Sequence, residues 1–336
     1  MTKKTRNFVL ASGAILAVGL TTGLVASFMG LPVSVFSRAA GPDELQYVPA
    51  DAAVVAYADV RQVMNSEFRE RFRRIEPDTR ERDEFERQTG VNIEEDIHSV
   101  VAAVMPRPEG DRARGPEQSI LVLARGRFEQ GRIERLALDH GGTVEQYNGA
   151  TLVTTRDEHT DAPEMALGFL AADLIAFGTY DAIKNAVDAG RGAANVASNT
   201  DLMRQIGELD GSSAWAVGRF DTLTRSARLP NELQERLPAL TWFSVSGHVN
   251  GGVRGVFKAE ARDEEAAQNM RDVLQGFLAL GRLQAGSNPA VRQMIDSLQL
   301  SGEGTSITLG FSVPTEVLDA LEALAQAHQG AAVPRP

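Results

Sequence analysis

Residues 121–136 read LVLARGRFEQGRIERL, an apolar run that breaks at Arg125-Gly126 and gives way to a pattern repeating every three to four residues. Alternating apolar positions over a short run mark a strand. The later spacing of Ile133, Leu136 and Ala137 marks one face of a helix. The junction recurs as LIAFGTYDAIKNAV (174–187) and AWAVGRFDTLTRSA (214–227), and more loosely as VVAYADVRQVMNS (54–66) and ITLGFSVPTEVLDAL (307–321). In each, an apolar strand ends near a small residue, and Phe128, Tyr180, Phe220 or Val313 is placed to plug the corner. Acids follow at Glu129, Asp181, Asp221 and Glu316, where the partial positive charge of a helix N-terminus favours them. Gly-Arg-Phe itself occurs twice, at 126–128 and 218–220.

Working outward from these junctions, strands are predicted near 52–59, 98–105, 118–126, 150–155, 165–171, 174–179, 212–219, 242–249, 253–261 and 305–312. Hairpin turns are predicted at Gln146-Tyr147-Asn148-Gly149, Ala171-Ala172-Asp173 and Asn250-Gly251-Gly252, since Asn-Gly and Gly-Gly accept the positive backbone angles such turns demand. The clearest helix is EEAAQNMRDVLQGFLALGRL (264–283), whose stripe of Ala267, Met270, Val273, Leu274, Phe277 and Leu278 is expected to be core. Val317, Leu318, Leu321 and Leu324 mark another helix, and 65–88 a charged helix pair broken at Pro77. Residues 105–118 and 156–164 are predicted as loops. Residues 52–195 and 212–328 carry a similar order of elements. The fold class expected is therefore α+β: a large, mostly antiparallel sheet packed against helices, in two duplicated subdomains at 41–210 and 211–328, with a disordered tail at 329–336.

The N-terminus has a different character. MTKKTRN is followed by an uncharged run from Asn7 to Ser37, and Phe8 to Met29 is long enough for the roughly 20 residues that a spanning helix needs. A retained anchor is expected over residues 1–40, with cleavage at Ser37–Ala40 as the alternative, because Ser37-Arg38-Ala39 is a small-x-small pattern. Lys3, Lys4 and Arg6 place the start in the cytoplasm by the positive-inside rule. The expected location is the inner membrane, single-pass through residues 8–29, with 41–336 extracytoplasmic; cleavage would release the chain to the periplasm.

Of the 336 residues, 43% are hydrophobic and 24% charged, the range of an ordinary globular chain. The formal net charge is −11, and because residues 1–38 hold four cations and no acid, the remainder carries −15. Such a surface repels phosphate backbones, so nucleic acid is not an expected partner. The absence of cysteine excludes disulfides, thiolate metal sites and cysteine nucleophiles.

No reactive constellation emerges. His98, His140, His159, His248 and His328 stand at no metal-binding spacing, and no GxSxG elbow surrounds Ser246 or Ser312. Gly190-x-Gly192 and Gly302-x-Gly304 do not continue into a phosphate loop. The acids at Asp43, Glu44, Asp157, Asp161, Glu264 and Glu265 lack a calcium-loop pattern. In TGVNIEEDIHSVVAAV (89–104), Glu94, Glu95, Asp96 and His98 crowd before an apolar run, but Asn92 directly before them is the signature of a helix cap followed by first-turn acids. No catalytic, cofactor-binding or metal-binding residue is assigned, and no cofactor is expected.

LQYVPADAAVVAYADV, TGVNIEEDIHSVVAAV, ILVLARGRFEQGRIERL, EQYNGATLVTT and LIAFGTYDAIKNAVDAGRGAANVASNTDLMRQI, in that order over about residues 45–220, resemble a family of uncharacterised bacterial extracytoplasmic proteins that open with a Leu-Pro-Ala-Asp-Thr type of motif. The resemblance implies a single N-terminal anchor and carries no catalytic residues to transfer. The function expected is a non-enzymatic binding or envelope-interaction module, with an envelope protein or an apolar ligand as partner. Two alternatives stand beside it: a carrier for a lipid or other apolar ligand, lined by Leu167, Phe169, Leu170, Trp242, Phe243 and Phe257, and a weak hydrolase with acids on separate strands.

Overall fold

A computed structural model describes residues 41–67, 69, 80–106, 118–155, 165–209, 211–220, 240–249, 253–284 and 289–313. The predicted anchor and cleavage site, the Pro77 break, residues 156–164, the 250–252 turn, the helix near Val317–Leu324, the tail, Asp221, Glu316, His159 and His328 lie outside them. In chain order the strands are β1 (Val54–Asp59), β2 (Ile97–Pro106), β3 (Gln118–Gly126), β4 (Thr143–Tyr147), β5 (Ala150–Thr155), β6 (Met165–Ala171), β7 (Leu174–Thr179), β8 (Ala214–Arg219), β9 (Leu240–Val249), β10 (Val253–Ala261), β11 (Gln299–Ser301) and β12 (Ser306–Val313). The helices are α1 (Val60–Met64), α2 (Arg80–Thr89), α3 (Ile93–Asp96), α4 (Gln130–Asp139), α5 (Tyr180–Gly190), α6 (Thr200–Gly207), α7 (Glu264–Gln284) and α8 (Pro289–Asp296).

All twelve strands join one sheet in the order β11-β12-β10-β9-β8-β1-β2-β3-β7-β6-β5-β4, and every neighbouring pair is antiparallel. The expected α+β class and large antiparallel sheet are present. From the β1–β8 pair the order runs outward as β1-β2-β3-β7 on one side and β8-β9-β10-β12 on the other. On each side a three-strand meander is followed by a helix, α4 or α7, before a later strand returns to pair with the third.

Two strands escape the sequence patterns. β4 reads TVEQY and lies on the sheet edge with most of its residues exposed, so it has no apolar alternation to show. β11 is three residues on the opposite edge. The predicted 105–118 loop is shorter than expected, because Met105, Pro106 and Gln118 all belong to the β2–β3 ladder. The Asn148-Gly149 turn joins β4 to β5 with both residues at positive φ, 46° and 75°, as a tight two-residue hairpin requires.

Alternation divides the sheet into two faces. The first carries Val55, Val101, Leu121, Leu123 and Val217, each fully excluded from solvent, under α5, α6 and the short 3-10 turns at Asp43–Tyr47 and Val196–Ser198. The second carries Val100, Ala124, Val153, Phe169 and Ile175 against α2, α3 and α4. Helix α7 packs on β10, β11 and β12 through Ala267, Met270 and Leu274. Its stripe is split, however: Val273 and Phe277, expected in the core, are 54% and 66% exposed, as are Leu280 and Leu283 further along.

Candidate functional site

The stretch TGVNIEEDIHSVVAAV forms the roof support of a cavity. Gly90, at φ +76°, ends α2; the Asn92 side chain accepts hydrogen bonds from the backbone N–H groups of Glu94 and Glu95; and the single turn α3 feeds β2. Its acids are mostly paired. Glu94 binds Arg69, Asp96 binds Arg127 at 2.7 Å, and Glu95 alone is exposed. The clustered acids are thus a cap, a first turn and two ion pairs.

Behind this turn, α2, α3 and α4 stand away from the second face and leave a cavity of about 140 Å³. Phe85, Val91 and Ile93 come from α2 and the turn that follows it. Ile133, Leu136 and Ala137 come from α4, and Phe128 is the corner residue of the opening motif. The floor is the sheet itself, with Val153 on β5, Leu167 on β6, and Ile175 and Phe177 on β7. Only Thr89 and His140 bring polar side chains. Both are engaged with backbone: the Thr89 hydroxyl donates to the Phe85 carbonyl and accepts from Val91 N–H, and His140 Nδ1 lies 2.7 Å from the Leu136 carbonyl oxygen. The wall can hold an apolar group by shape and dispersion, and it offers no carboxylate, amine or thiol for chemistry.

Of the six residues predicted to line an apolar site, the structure brings one, Leu167, into the cavity wall, and Phe169 packs in the same cluster. Leu170 and Trp242 pack against the core of the opposite face, where alternation puts them, and so cannot reach it. Phe243 and Phe257 lie on β9 and β10, toward the other half of the sheet. Phe85, Phe128 and the α4 stripe were missed as lining residues. The recurring corner aromatic was the one signal that could have pointed to Phe128.

A polar cluster sits where the Asp43–Tyr47 turn meets the start of β2 and the end of β3. Glu44, 3% exposed, accepts from Arg125 Nε at 2.6 Å and from the Ser99 hydroxyl at 2.9 Å, while a second Arg125 nitrogen reaches Asp173 at 2.6 Å. Burial works against the charge on Arg125, but the hydrogen bonds to Glu44 and Asp173 outweigh it and hold its pKa above the ordinary value. The cluster ties the segment entering the domain to the sheet. Among the described residues, no group of three or more His, Cys, Asp or Glu is placed to hold a metal.

Two strand histidines are held below their ordinary value of 6.5. For His98 burial is the largest cause, joined by the charges of Arg61 and Arg127. For His248 it is burial, partly offset by a hydrogen bond that the ring donates to the Gly211 backbone. A folded-state pKa below the unfolded one means that the unfolded chain binds more protons in the window just below 6.5. Stability is then complete above that window and declines as pH falls through it. Urea unfolding at pH 7.5 and pH 5.5 should show a larger loss for the wild type than for a His98→Gln/His248→Gln variant, and equal losses would contradict the assignment.

Comparison with known proteins adds to the fold alone. No family model and no curated protein matches the chain. Among solved structures, crystal form III of TP0453 is similar over 84% of this chain and 99% of that one, with TM-score 0.50 and 10% sequence identity. Crystal form I of TP0453 covers 85% and 98%, with TM-score 0.46 and 10% identity. Among the described residues no helix is long and apolar enough to cross a membrane, and Phe8–Met29 lies outside them.

Proposed function

We propose that this chain is a non-enzymatic, extracytoplasmic binding module that carries an apolar ligand in the cavity between α4 and the sheet. The observation that carries the reading is the cavity itself. It offers about 140 Å³ lined almost wholly by apolar side chains, room for a small hydrocarbon group. A cavity whose polar edges are already satisfied selects for hydrophobicity and shape, which suits a carrier better than an enzyme.

The cationic start and the apolar run from Phe8 to Met29 support export and single-pass anchoring in the inner membrane, or release to the periplasm if the run is removed. The matching outward orders β1-β2-β3-β7 and β8-β9-β10-β12, each with a helix before its last strand, support a duplication of the 41–210 and 211–328 units. The family resemblance over residues 45–220 is in keeping with this location.

Organic extraction of the purified full-length protein, followed by mass spectrometry, tests the reading. The wild type should release about one apolar molecule per chain above the lipid carried by an unrelated single-span protein. An Ala137→Phe substitution, which fills the cavity from α4, should lower that excess at least five-fold and raise the melting temperature of the extracted protein. Equal extracts from wild type, variant and control would overturn it.

A further inference from the structure

The cavity floor belongs to a longer feature that the strand register reveals. Leu300, Leu309, Phe257, Val245, Ala216, Ala56, Ala102, Val122, Phe177, Leu167, Val153 and Val144 are cross-strand partners in succession, one from each of the twelve strands. Every member is apolar. Its large residues lie toward the ends, and Ala216, Ala56 and Ala102 sit together at the middle. The rows on either side keep the centre low, with Ala214, Ala58 and Val100 on one flank and Gly218, Val54 and Val104 on the other. Short side chains let an apolar chain lie close to the backbone, and Phe177 and Phe257 form the banks.

The two faces are treated differently. Behind this row, Val55, Val101, Leu121 and Leu123 are 0% exposed. On the row, Ala56, Ala102, Val122 and Phe177 keep partial exposure and neighbouring Ile120 is 45% exposed, whereas Ala216 and Val245 beyond them are buried. An apolar trough thus leads out of the cavity across Phe177 and Val122. From Phe177 to Ala56 it crosses three strand spacings, about 14 Å at ~4.8 Å each. One leaflet of a bilayer's hydrocarbon core is about 15 Å deep, so the path accommodates one extended acyl chain.

We infer that the ligand is an acyl chain of a bilayer lipid, with its terminal carbons in the cavity and its length laid along the Val122–Ala102–Ala56 trough. The inference rests on the apolar-carrier reading and adds the ligand's class, length and direction. The membrane is the source because the same chain carries the apolar run Phe8–Met29, long enough to span a bilayer. The twelve residues from Met29 to Gly41 span at most about 43 Å, so a chain anchored by that run keeps the domain near the lipid surface.

The test uses full-length protein reconstituted into phosphatidylcholine vesicles containing a phosphatidylcholine with a diazirine along one acyl chain, illuminated and digested for adduct mapping. Labelling is verified on an unrelated single-span protein in the same vesicles. Adducts are expected at Met165–Leu167 and Phe177 and also on β1 and β2 around Ala56 and Ala102. Ala102→Trp, which dams the trough, should reduce β1 adducts at least five-fold and leave adducts at Phe177; Ala102→Leu is the milder form should the first disturb folding, and the wild-type map stands without either. Adducts confined to the cavity would overturn the trough and leave the carrier reading in place. Adducts at neither place would overturn both. Labelling by free diazirine-stearate in solution but not from vesicles would overturn the membrane as source.

Discussion

Leu123→Ala is expected to lower the unfolding free energy by about 3–5 kcal/mol, read as a fall in the urea midpoint with an unchanged slope. Leu123 is fully buried on the closely packed face, beside Leu121, Val101 and the α5 residues Ala182 and Ile183. Removing its isobutyl group leaves a hole that neighbours already in contact cannot close. The same substitution at Leu167, on the cavity floor, only widens a space that exists, and roughly 1–2 kcal/mol is expected there. The contrast between two leucines on neighbouring parts of one sheet is the informative quantity. If Leu167→Ala cost as much as Leu123→Ala, the cavity would have to be filled in solution by side chains.

Arg125→Ala should cost about 3 kcal/mol. It strips the nearly buried Glu44 carboxylate of its counter-charge, and the Ser99 hydroxyl cannot replace a guanidinium. The 27% exposure of Arg125 and its second partner, Asp173, which is open to water, keep the cost at the lower end for a buried pair. Glu44→Gln/Arg125→Met, which removes both charges at once, should recover at least half of that loss, because the penalty lies chiefly in stranding one charge. A double variant less stable than Arg125→Ala would show that the pair contributes through net attraction instead.

The junction motif carried much of the architecture. Leu121–Gly126 and Leu174–Thr179 are strands, Gln130–Asp139 and Tyr180–Gly190 are helices, and the corner between them is where Phe128 meets α4. Such elements are legible because burial on one face imposes a period on the chain. The cavity was not. Phe85, Phe128 and Ile133 have the spacing of ordinary core residues, and a stripe records only that a side chain avoids water. Whether it meets a partner or an empty space depends on the distance between α4 and the sheet, which has no local signature. Val273 and Phe277 show the same limit from the other side, being in a regular stripe yet exposed. The trough was hidden for a further reason: Ala56 and Ala102 are unremarkable in isolation, and only the register brings them into one line.

The placement of β1 has a consequence for how the chain reaches this state. Ala56 pairs with Ala216, 160 positions later, so the β1–β8 pairing is the last contact to become possible for the N-terminal half. As synthesis proceeds, β1 through β7 can assemble on their own, but β1 then presents an unpaired edge rich in valine and alanine until β8 is made. A nascent chain with an open, apolar edge invites pairing with another copy of itself. Prompt arrival of the β8 segment, residues 214–219, is therefore a kinetic requirement for solubility, independent of how stable the finished sheet is.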